Sequence, residues 1–447
     1  MAENLKDTIK EKIDLLEFLS SKGMTWTNQS SNPKALCVFH EEKTPSFTLS
    51  KDRKRYKCYG CNESGDVFDY LMSAEKLTFV EAIRQLSSYL SLEYDDNSFS
   101  DELEKRKKIK IINNEVLDVN SLAQSYFSKQ LFDQNSENSK FVRSYLEDRG
   151  ISEEAARKNL LGYCPDGNMG SLMSFFQSNK TNKRGVINSN LLMRNDESGD
   201  WLDFFRNRLT IAILDENSNI VGFSGRALTD NSKSKYINSR ESEVFNKSSI
   251  LYGLDRASEA IRLKSQAVVV EGYFDCISGY ERGYKNLVAA MGTQISSDSF
   301  EKLKNLTTYD SDSGEVIFCF DNDNAGKKAA VDTIAKLKDI IASASKNTSK
   351  KLRIKVCFPS SGKDPDEIFR TNIVEWEEMI NMSQNFIDYL LDYYSVLHLQ
   401  GQEKDTYKFL DIILPFIIEC CDEVQQSYYL SKVSKLTDLS YDLLKSE

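Results

Sequence analysis

Ala267-Val-Val-Val-Glu-Gly-Tyr-Phe-Asp275 is a short apolar run that stops abruptly at an acid and a glycine, and Val316-Ile-Phe-Cys-Phe-Asp-Asn-Asp-Asn-Ala-Gly326 repeats that form fifty residues later. Brief branched and aromatic runs bounded in this way read as strands buried on both faces. Comparable runs occur at 287–291 and 352–358, with helical stretches between them. The alternation predicts a compact parallel α/β unit between about 265 and 370. Ligand sites in open α/β sheets lie outside the carboxyl ends of the strands. Glu271 and Asp275 follow the first strand, Asp321 and Asp323 the third, and Gly362-Lys-Asp364-Pro-Asp366 the fourth. A lone D-x-D reads as a solvated acidic loop, but three strand ends in one unit would bring five or six carboxylates together. Such a group costs free energy at neutral pH unless a divalent cation neutralises it. Oxygen-only ligands favour Mg²⁺ or Mn²⁺. No nucleophile and no activated histidine accompanies these acids, since His398 is remote and reads as packing or capping in a helical tail. The set suits metal-assisted phosphoryl chemistry.

Upstream of this unit, Phe205-Arg-Asn-Arg208, Gly222-Phe-Ser-Gly-Arg226 and Lys235-Tyr-Ile-Asn238 form a basic lane. Taken singly, Arg206, Arg208, Arg226 and Lys235 are solvated surface cations. Beside a carboxylate–metal cluster they could hold triphosphates or template phosphates. The surrounding segment, 112–262, is mixed, with helical patterns to about 158 and strand-like pieces at 209–214 and 219–223. After Asn372 the pattern reads as helices only.

Near the other end, Cys37-Val-Phe-His40 and Cys58-Tyr-Gly-Cys61 are two C-x2-[HC] pairs 17 residues apart. Four soft or borderline ligands in two knuckles make a closed tetrahedral set, which suits one structural Zn²⁺. The alternatives are a metal-free buried cluster or a catalytic zinc, and the second needs an open position that four protein ligands do not leave. Between the knuckles lies Lys51-Asp-Arg-Lys-Arg-Tyr-Lys57, with a local charge of +4 inside a chain whose net charge is −10. On a strand, Arg53, Arg55 and Lys57 would share one face, and Lys54 the other with Tyr56. Cations beside an aromatic ring suit single-stranded nucleic acid, and the competing reading is a solvated basic hairpin. A single helix through Leu5, Ile9, Ile13 and Leu16, stopping at Gly23, precedes the knuckles.

Composition sets outer limits. A chain of 447 residues, 40% apolar and 28% charged, suits about three globular domains with real cores. The longest apolar candidate, 409–421, is interrupted by Asp411, Pro415 and Glu419 and falls short of a membrane span. Six of the nine cysteines are scattered without framework spacing, which fits a reducing, cytoplasmic compartment. No G-x-x-x-x-G-K-[ST] phosphate loop is present, which speaks against a fused ATPase motor of that class. A shift to polar and charged residues from Tyr94 to Lys110 marks a linker. The resulting domains are 1–100, a linker 101–111, 112–262, 263–370 and 371–447.

With these residues in hand, the chain resembles bacterial DnaG-type DNA primases. Leu36 to Phe47 and Cys58 to Asp66 resemble that family's CHC2 zinc ribbon. Tyr145-Leu-Glu-Asp-Arg-Gly-Ile151, Val221-Gly-Phe-Ser-Gly-Arg226 and Lys235-Tyr-Ile-Asn-Ser239 resemble pieces of its RNA polymerase domain. Val270-Glu-Gly-Tyr-Phe-Asp275 and Phe320-Asp-Asn-Asp-Asn-Ala-Gly326 resemble the TOPRIM signature that primases share with topoisomerases. The implied fold is multidomain, α+β and α/β: a zinc ribbon, a mixed α+β subdomain, a TOPRIM parallel unit and a C-terminal helical bundle. By the resemblance Cys37, His40, Cys58 and Cys61 bind zinc. Glu271, Asp321, Asp323, Asp364 and Asp366 hold about two or three catalytic Mg²⁺ or Mn²⁺ ions, with Asp275 in support. Arg149, Arg206, Arg208, Arg226, Lys235, Tyr236 and Asn238 line the nucleotide and template path, and Arg53, Arg55, Tyr56 and Lys57 contact single-stranded DNA. The implied reaction is de novo synthesis of a short RNA from ribonucleoside triphosphates on a single-stranded template, with a replicative helicase as partner. A TOPRIM nuclease or topoisomerase-like enzyme and a non-catalytic single-strand-binding zinc adaptor are the competing readings. Two departures stand out: Val38 replaces the usual knuckle proline, and the chain ends where the family's helicase-docking domain would begin.

Overall fold

The computed structural model describes residues 2–27, 33–61, 63–92, 96–166, 171–196, 198–229, 232, 234–291, 295–345, 351–360, 364–400 and 405–446. The chain folds as two compact units, Met1–Ile111 and Ile112–Glu447. The first opens with two helices, α1 (Ala2–Lys12) and α2 (Leu15–Ser21), where the apolar spacing predicts one. Asp14 makes the break: its carboxylate accepts from the N–H groups of Leu16 at 2.8 Å and Glu17 at 3.1 Å, starting a new helix. A four-stranded antiparallel sheet follows in chain order, β1 (Lys34–Ala35), β2 (Phe47–Leu49), β3 (Tyr56–Cys58) and β4 (Ser64–Gly65). With α3 (Val67–Ala74) and α4 (Phe79–Tyr89) it encloses a core in which the Phe47 and Tyr56 rings stack at 5.0 Å.

Residues 101–111, expected as a linker, are helical. They belong to α5, which runs Asp96–Leu131 across the division between the units. The Lys, Arg, Glu and Leu residues that mark a composition shift are good helix formers, so polarity here does not mean irregular chain. Tyr94 and Asp95 lie outside the described residues.

The second unit continues with α6 (Glu137–Asp148), α7 (Glu153–Lys158), β5 (Leu161–Cys164), α8 (Ser171–Ser178), α9 (Lys183–Asn188) and the hairpin β6 (Leu192–Arg194) and β7 (Trp201–Asp203). Then come β8 (Arg208–Leu214), β9 (Ile220–Ala227) and β10 (Tyr236–Asn238), giving an antiparallel sheet of order β10-β9-β8-β5. β9 outruns its expected end at 223 because Gly225, a turn signal in sequence, is a strand residue that lets Phe205 approach. A Cβ there would lie 2.6 Å from the Phe205 ring.

Next are α10 (Leu254–Lys264), β11 (Gln266–Val270), α11 (Tyr273–Glu281), β12 (Leu287–Ala289), α12 (Ser297–Thr307), β13 (Ser313–Cys319), α13 (Asn324–Ser345), β14 (Lys351–Cys357), α14 (Pro365–Thr371) and α15 (Ile373–Asn381). The chain closes with β15 (Gln384–Asn385), α16 (Phe386–His398), α17 (Thr406–Cys420), α18 (Glu423–Thr437) and α19 (Tyr441–Ser446). The two-residue β15, which the helix-only reading of the tail missed, adds an antiparallel edge to the parallel sheet, whose order is β12-β11-β13-β14-β15.

Alternation along the central strands explains the layers. Ala267 and Val269, with Val316, Phe318 and Phe320, face one core that runs on through α13 into α16, α17 and α18. Val268 and Val270, with Ile317 and Cys319, face a second core shared with α11, α14 and strands β5 and β8. The two larger sheets of this unit are thereby held against a common apolar layer. Burying four or five such side chains per strand stabilises each by roughly 1.5–3 kcal/mol per residue.

Candidate active site and metal centre

The zinc ligands come together as the spacing predicts. One ligand atom each from Cys37, His40, Cys58 and Cys61 lies within 4.8 Å of the others. The Cys37 and Cys61 sulfurs are 3.9 Å apart, and His40 Nδ1 is 3.8 Å from Cys58 Sγ. The chemistry of this donor set fits structural Zn²⁺. Burial pushes the Cys37 thiol up to about 12. Cys58 is also raised by burial, yet the Ser46 hydroxyl and the N–H groups of Cys61 and Gly60 bring it down to about 7. Sequence reasoning missed Glu42. Its carboxylate lies 3.3 Å from His40 Nε2, accepts from Cys37 N at 2.8 Å and from Ser46 Oγ at 2.5 Å. It thereby orients the imidazole with Nδ1 toward the sulfurs, an outer-shell arrangement common to metal-bound histidines. An acid two residues after the histidine was the available signal.

The basic hairpin departs from expectation. Residues 51–54 form the turn between β2 and β3, with Arg53 at φ 55°, so Arg53, Arg55 and Lys57 do not share a strand face. Arg53 donates to Asp14 at 3.3 Å, and Lys54 donates to the carbonyls of Glu11 and Ile13 at 2.5 and 2.6 Å, closing the C-terminus of α1. Tyr56 is 2% exposed and belongs to the core, so it offers no face to a base. The ring that does is Tyr59, 69% exposed, with Lys57 Nζ 5.3 Å from its centroid. Arg55 and Lys57 are exposed.

In the second unit, parallel register sets β11, β13 and β14 side by side, with Val269 opposite Phe318 and Cys319 opposite Cys357. Their carboxyl ends deliver Glu271, Asp321 and Asp323, and the segment before α14 delivers Asp364 as its N-cap. Gly362 and Lys363 lie outside the described residues. The Asp321 carboxyl is pushed up to about 7, first by burial and then by Glu271, Asp364 and Asp323, while Lys235 opposes the shift. Burial and Asp323 raise Glu271 as well. Asp275, 5% exposed, lies well above the carboxylate range through burial and through Asp364, Asp321 and Asp366. A cavity of about 260 Å³ opens beside Glu271.

Two of the six acids have both carboxylate oxygens engaged, whereas Glu271, Asp323 and Asp364 each accept one backbone N–H. Asp275 accepts from Gly272 N at 2.8 Å and from Asp366 N at 3.0 Å. Asp366 is 2% exposed; its Oδ1 accepts from Ser278 Oγ at 2.5 Å and its Oδ2 from Arg149 at 2.5 Å, with Arg370 at 3.4 Å. The acids therefore do not gather as one sixfold cluster. Among the described residues only the Cys/His quartet has three or more ligand atoms mutually within 4.8 Å. Glu271, Asp321 and Asp364, partly buried, and the exposed Asp323 remain, with Asp321 repelled by the other three. They fit a cation such as Mg²⁺, which keeps several waters and needs only one or two carboxylates alongside substrate phosphates.

The basic lane divides in the same way. Arg208 straps a loop, donating to the carbonyls of Gly225 at 3.2 Å and Ser234 at 3.1 Å and to Ser232 Oγ at 3.0 Å. Arg206 is exposed and donates to Asp203 O at 3.4 Å. Arg226, 9% exposed, donates to the Tyr236 hydroxyl at 2.5 Å. Arg149 and Arg226 both lie over Phe274, at 4.8 and 5.2 Å, and over Tyr145, at 5.2 and 5.3 Å. Asn238 accepts from Tyr273 at 2.7 Å. Tyr145, Tyr273, Phe274 and Ser278 escaped sequence reading as site residues, since a ring or hydroxyl on a helix carries no signal of its own. His398, 9% exposed, packs in the tail with its ring stacked on Tyr394 at 6.0 Å.

Family comparisons agree with this geometry. The CHC2 zinc finger family matches residues 1–102, the DNA primase catalytic core N-terminal domain matches 126–258, and the Toprim domain matches 265–345. The DNA primase of Clostridium acetobutylicum is 32% identical over all of this chain, which spans 70% of that relative's length; the primase of Deinococcus radiodurans is 34% identical, with 52% of its length covered. Among solved structures, the zinc-binding and RNA polymerase domains of the Aquifex aeolicus primase align with 98% of each chain at 25% identity and TM-score 0.54. A DnaG primase catalytic domain solved with single-stranded DNA shares the fold at TM-score 0.61, covering 75% of this chain and 99% of that one at 24% identity. A zinc ribbon, a primase catalytic core and a Toprim unit in one order, with this chain matched along its whole length to 70% of a primase 32% identical to it, mean that this chain belongs to the DnaG-type DNA primase family.

Proposed function

We propose that the chain synthesises short RNA primers de novo on single-stranded DNA, joining ribonucleotides by attack of a 3′-hydroxyl on the α-phosphate of the incoming triphosphate. The observation that carries this reading is the pairing of opposites. Partly buried Glu271 and Asp321 repel each other at adjoining strand ends with Lys235 opposing at Asp321, and the same unit seats two arginines on one aromatic layer. Glu271, Asp321, Asp323 and Asp364 would hold Mg²⁺ or Mn²⁺, which when bound lowers the pKa of the attacking hydroxyl and stabilises the departing pyrophosphate. Arg149, Arg226 and Lys235 bind the triphosphate, and preorganised donors of this kind act strongly in a site that excludes water. Arg206, Tyr236 and Asn238 border the template path. In the zinc unit Arg55, Lys57 and Tyr59 grip the single strand, the two cations on phosphates and the ring on a base.

The DNA-bound relative supports the choice of template. Ribonucleoside triphosphates are the substrates in this reading, and a replicative helicase is the partner. Among the described residues no helix is long and apolar enough to cross a membrane. The deciding experiment incubates purified protein with single-stranded DNA, labelled ribonucleotides and Mg²⁺ or Mn²⁺, and resolves the products on a denaturing gel. A short RNA ladder that disappears in Asp321→Asn, with zinc content retained, is the expected result. Undiminished RNA from Asp321→Asn would refute the cation assignment, and DNA cleavage in place of RNA would favour the nuclease reading.

A further inference from the structure

We infer that Asp366 is a positioning residue for Arg149 and not a ligand of the catalytic cation, and that one side of α11 builds the seat from which Arg149 and Arg226 address substrate phosphates. This rests on the primase reading of the site. The sequence groups Asp366 with the metal-binding acids because it follows Asp364 in an Asp-Pro-Asp run. Folded, the two have different tasks. Proline occupies the first position of α14, so Asp364 caps that helix from outside while Asp366 lies within its first turn.

Both carboxylate oxygens of Asp366 are occupied by protein donors. Oδ1 takes the Ser278 hydroxyl at 2.5 Å, and Oδ2 takes Arg149 Nη1 at 2.5 Å with Arg370 Nη2 at 3.4 Å. At 2% exposure it has no open side for a hydrated cation. Phe274 and Ser278 are four residues apart on α11 and share a helix face. The ring of Phe274 therefore lies under the guanidinium of Arg149, at 4.8 Å, while the hydroxyl of Ser278 fixes the carboxylate that holds the same guanidinium. Arg226 rests on Phe274 as well, at 5.2 Å. The Nε–H groups of both arginines are buried and have no hydrogen-bond partner. With one carboxylate between Arg149 and Arg370, and Arg226 paired with a hydroxyl, this seat keeps uncompensated positive charge. An oxyanion is the chemical complement of such a pair.

The test uses the full chain and compares Asp366→Asn and Ser278→Ala with Asp321→Asn. Bound Mn²⁺ is counted by electron paramagnetic resonance, and affinity for a fluorescent ribonucleoside triphosphate is measured by titration with and without metal. Asp366→Asn should leave Mn²⁺ binding unchanged while weakening the metal-free nucleotide affinity by about tenfold, and it should raise KM with kcat little altered. Ser278→Ala should do the same more mildly, and Asp366→Glu should restore part of the loss. Asp321→Asn should show the opposite pattern, losing Mn²⁺ first. Loss of Mn²⁺ in Asp366→Asn to the extent seen in Asp321→Asn would overturn the assignment, as would unchanged nucleotide affinity. If Asp366→Asn fails to fold by circular dichroism, the Ser278→Ala measurements decide. Absence of RNA synthesis by the unaltered protein would count against the primase reading, while the Mn²⁺ and nucleotide titrations would still judge the role of Asp366.

Discussion

Asp321 is held above the usual carboxylate range, first by burial and then by its acidic neighbours, and that has a consequence for pH. An acid whose folded pKa lies above its unfolded value withdraws stability as pH rises, starting near the unfolded value and ending above the folded one. For Asp321 the window runs from about 4 to about 7. In metal-free protein the Tm of Asp321→Asn should therefore gain on that of the unaltered chain across that window, and Mg²⁺ should abolish the difference. Thermal melts at several pH values decide, and a constant difference in Tm would contradict the upward shift of the Asp321 carboxyl. At the opposite end of the chain, Tyr59→Ala should weaken binding to short single-stranded DNA by roughly tenfold, the worth of one stacked base. Tyr56→Phe should change neither affinity nor stability, because the Tyr56 ring is core and its hydroxyl is unpartnered. Fluorescence anisotropy separates these outcomes, and equal losses would reject the exchange of Tyr56 for Tyr59.

At the scale of elements, the zinc ribbon is held by more than its ligands. Glu42 joins His40, Cys37 and Ser46, while Gly60 leaves room for the imidazole: a Cβ at that position would sit 2.5 Å from His40 Nε2. Glu42→Gln should lower zinc affinity by about 10- to 100-fold without removing a ligand. Competition against a chromophoric chelator measures this, and unchanged affinity would reduce Glu42 to a bystander. In the Toprim unit α11 has the comparable part. It begins at Gly272, where Asp275 closes the N-terminus, and it carries Tyr273, Phe274 and Ser278 to three different polar partners. A buried helix that the apolar pattern marks only as core thus organises much of the polar site.

For the whole molecule, each unit has its own apolar core, and only the first contains the Cys/His quartet. Small metal-bound units commonly derive much of their folding free energy from the ion. Removal of zinc should therefore strip hydrogen-exchange protection from β2 and β3 while β8, β9, β11 and β13 keep theirs. Exchange read by mass spectrometry checks the expectation, and retained protection in β2 and β3 would show that the aromatic core of Phe47, Tyr56 and Tyr70 suffices alone.

How much is legible without coordinates follows from the range of the forces involved. Strands β11, β13 and β14, the cysteine and histidine knuckles, and the acids at strand ends are local patterns, written in neighbouring residues and in the period of two. Sequence therefore determined the parallel unit, the Cys/His quartet and the placing of Glu271, Asp321 and Asp323 at strand ends. The break at Asp14, the helical character of 101–111 and the length of β9 escape the apolar pattern, since capping, helix propensity and glycine at a close approach compete with it. Only the tertiary structure decided which polar groups are spent on one another. Arg53 goes to Asp14, Arg208 to a loop, Tyr56 to the core and Asp366 to Arg149, more than two hundred residues away in sequence. A buried charge must find its partner wherever the chain brings one, and that search has no signature in sequence spacing.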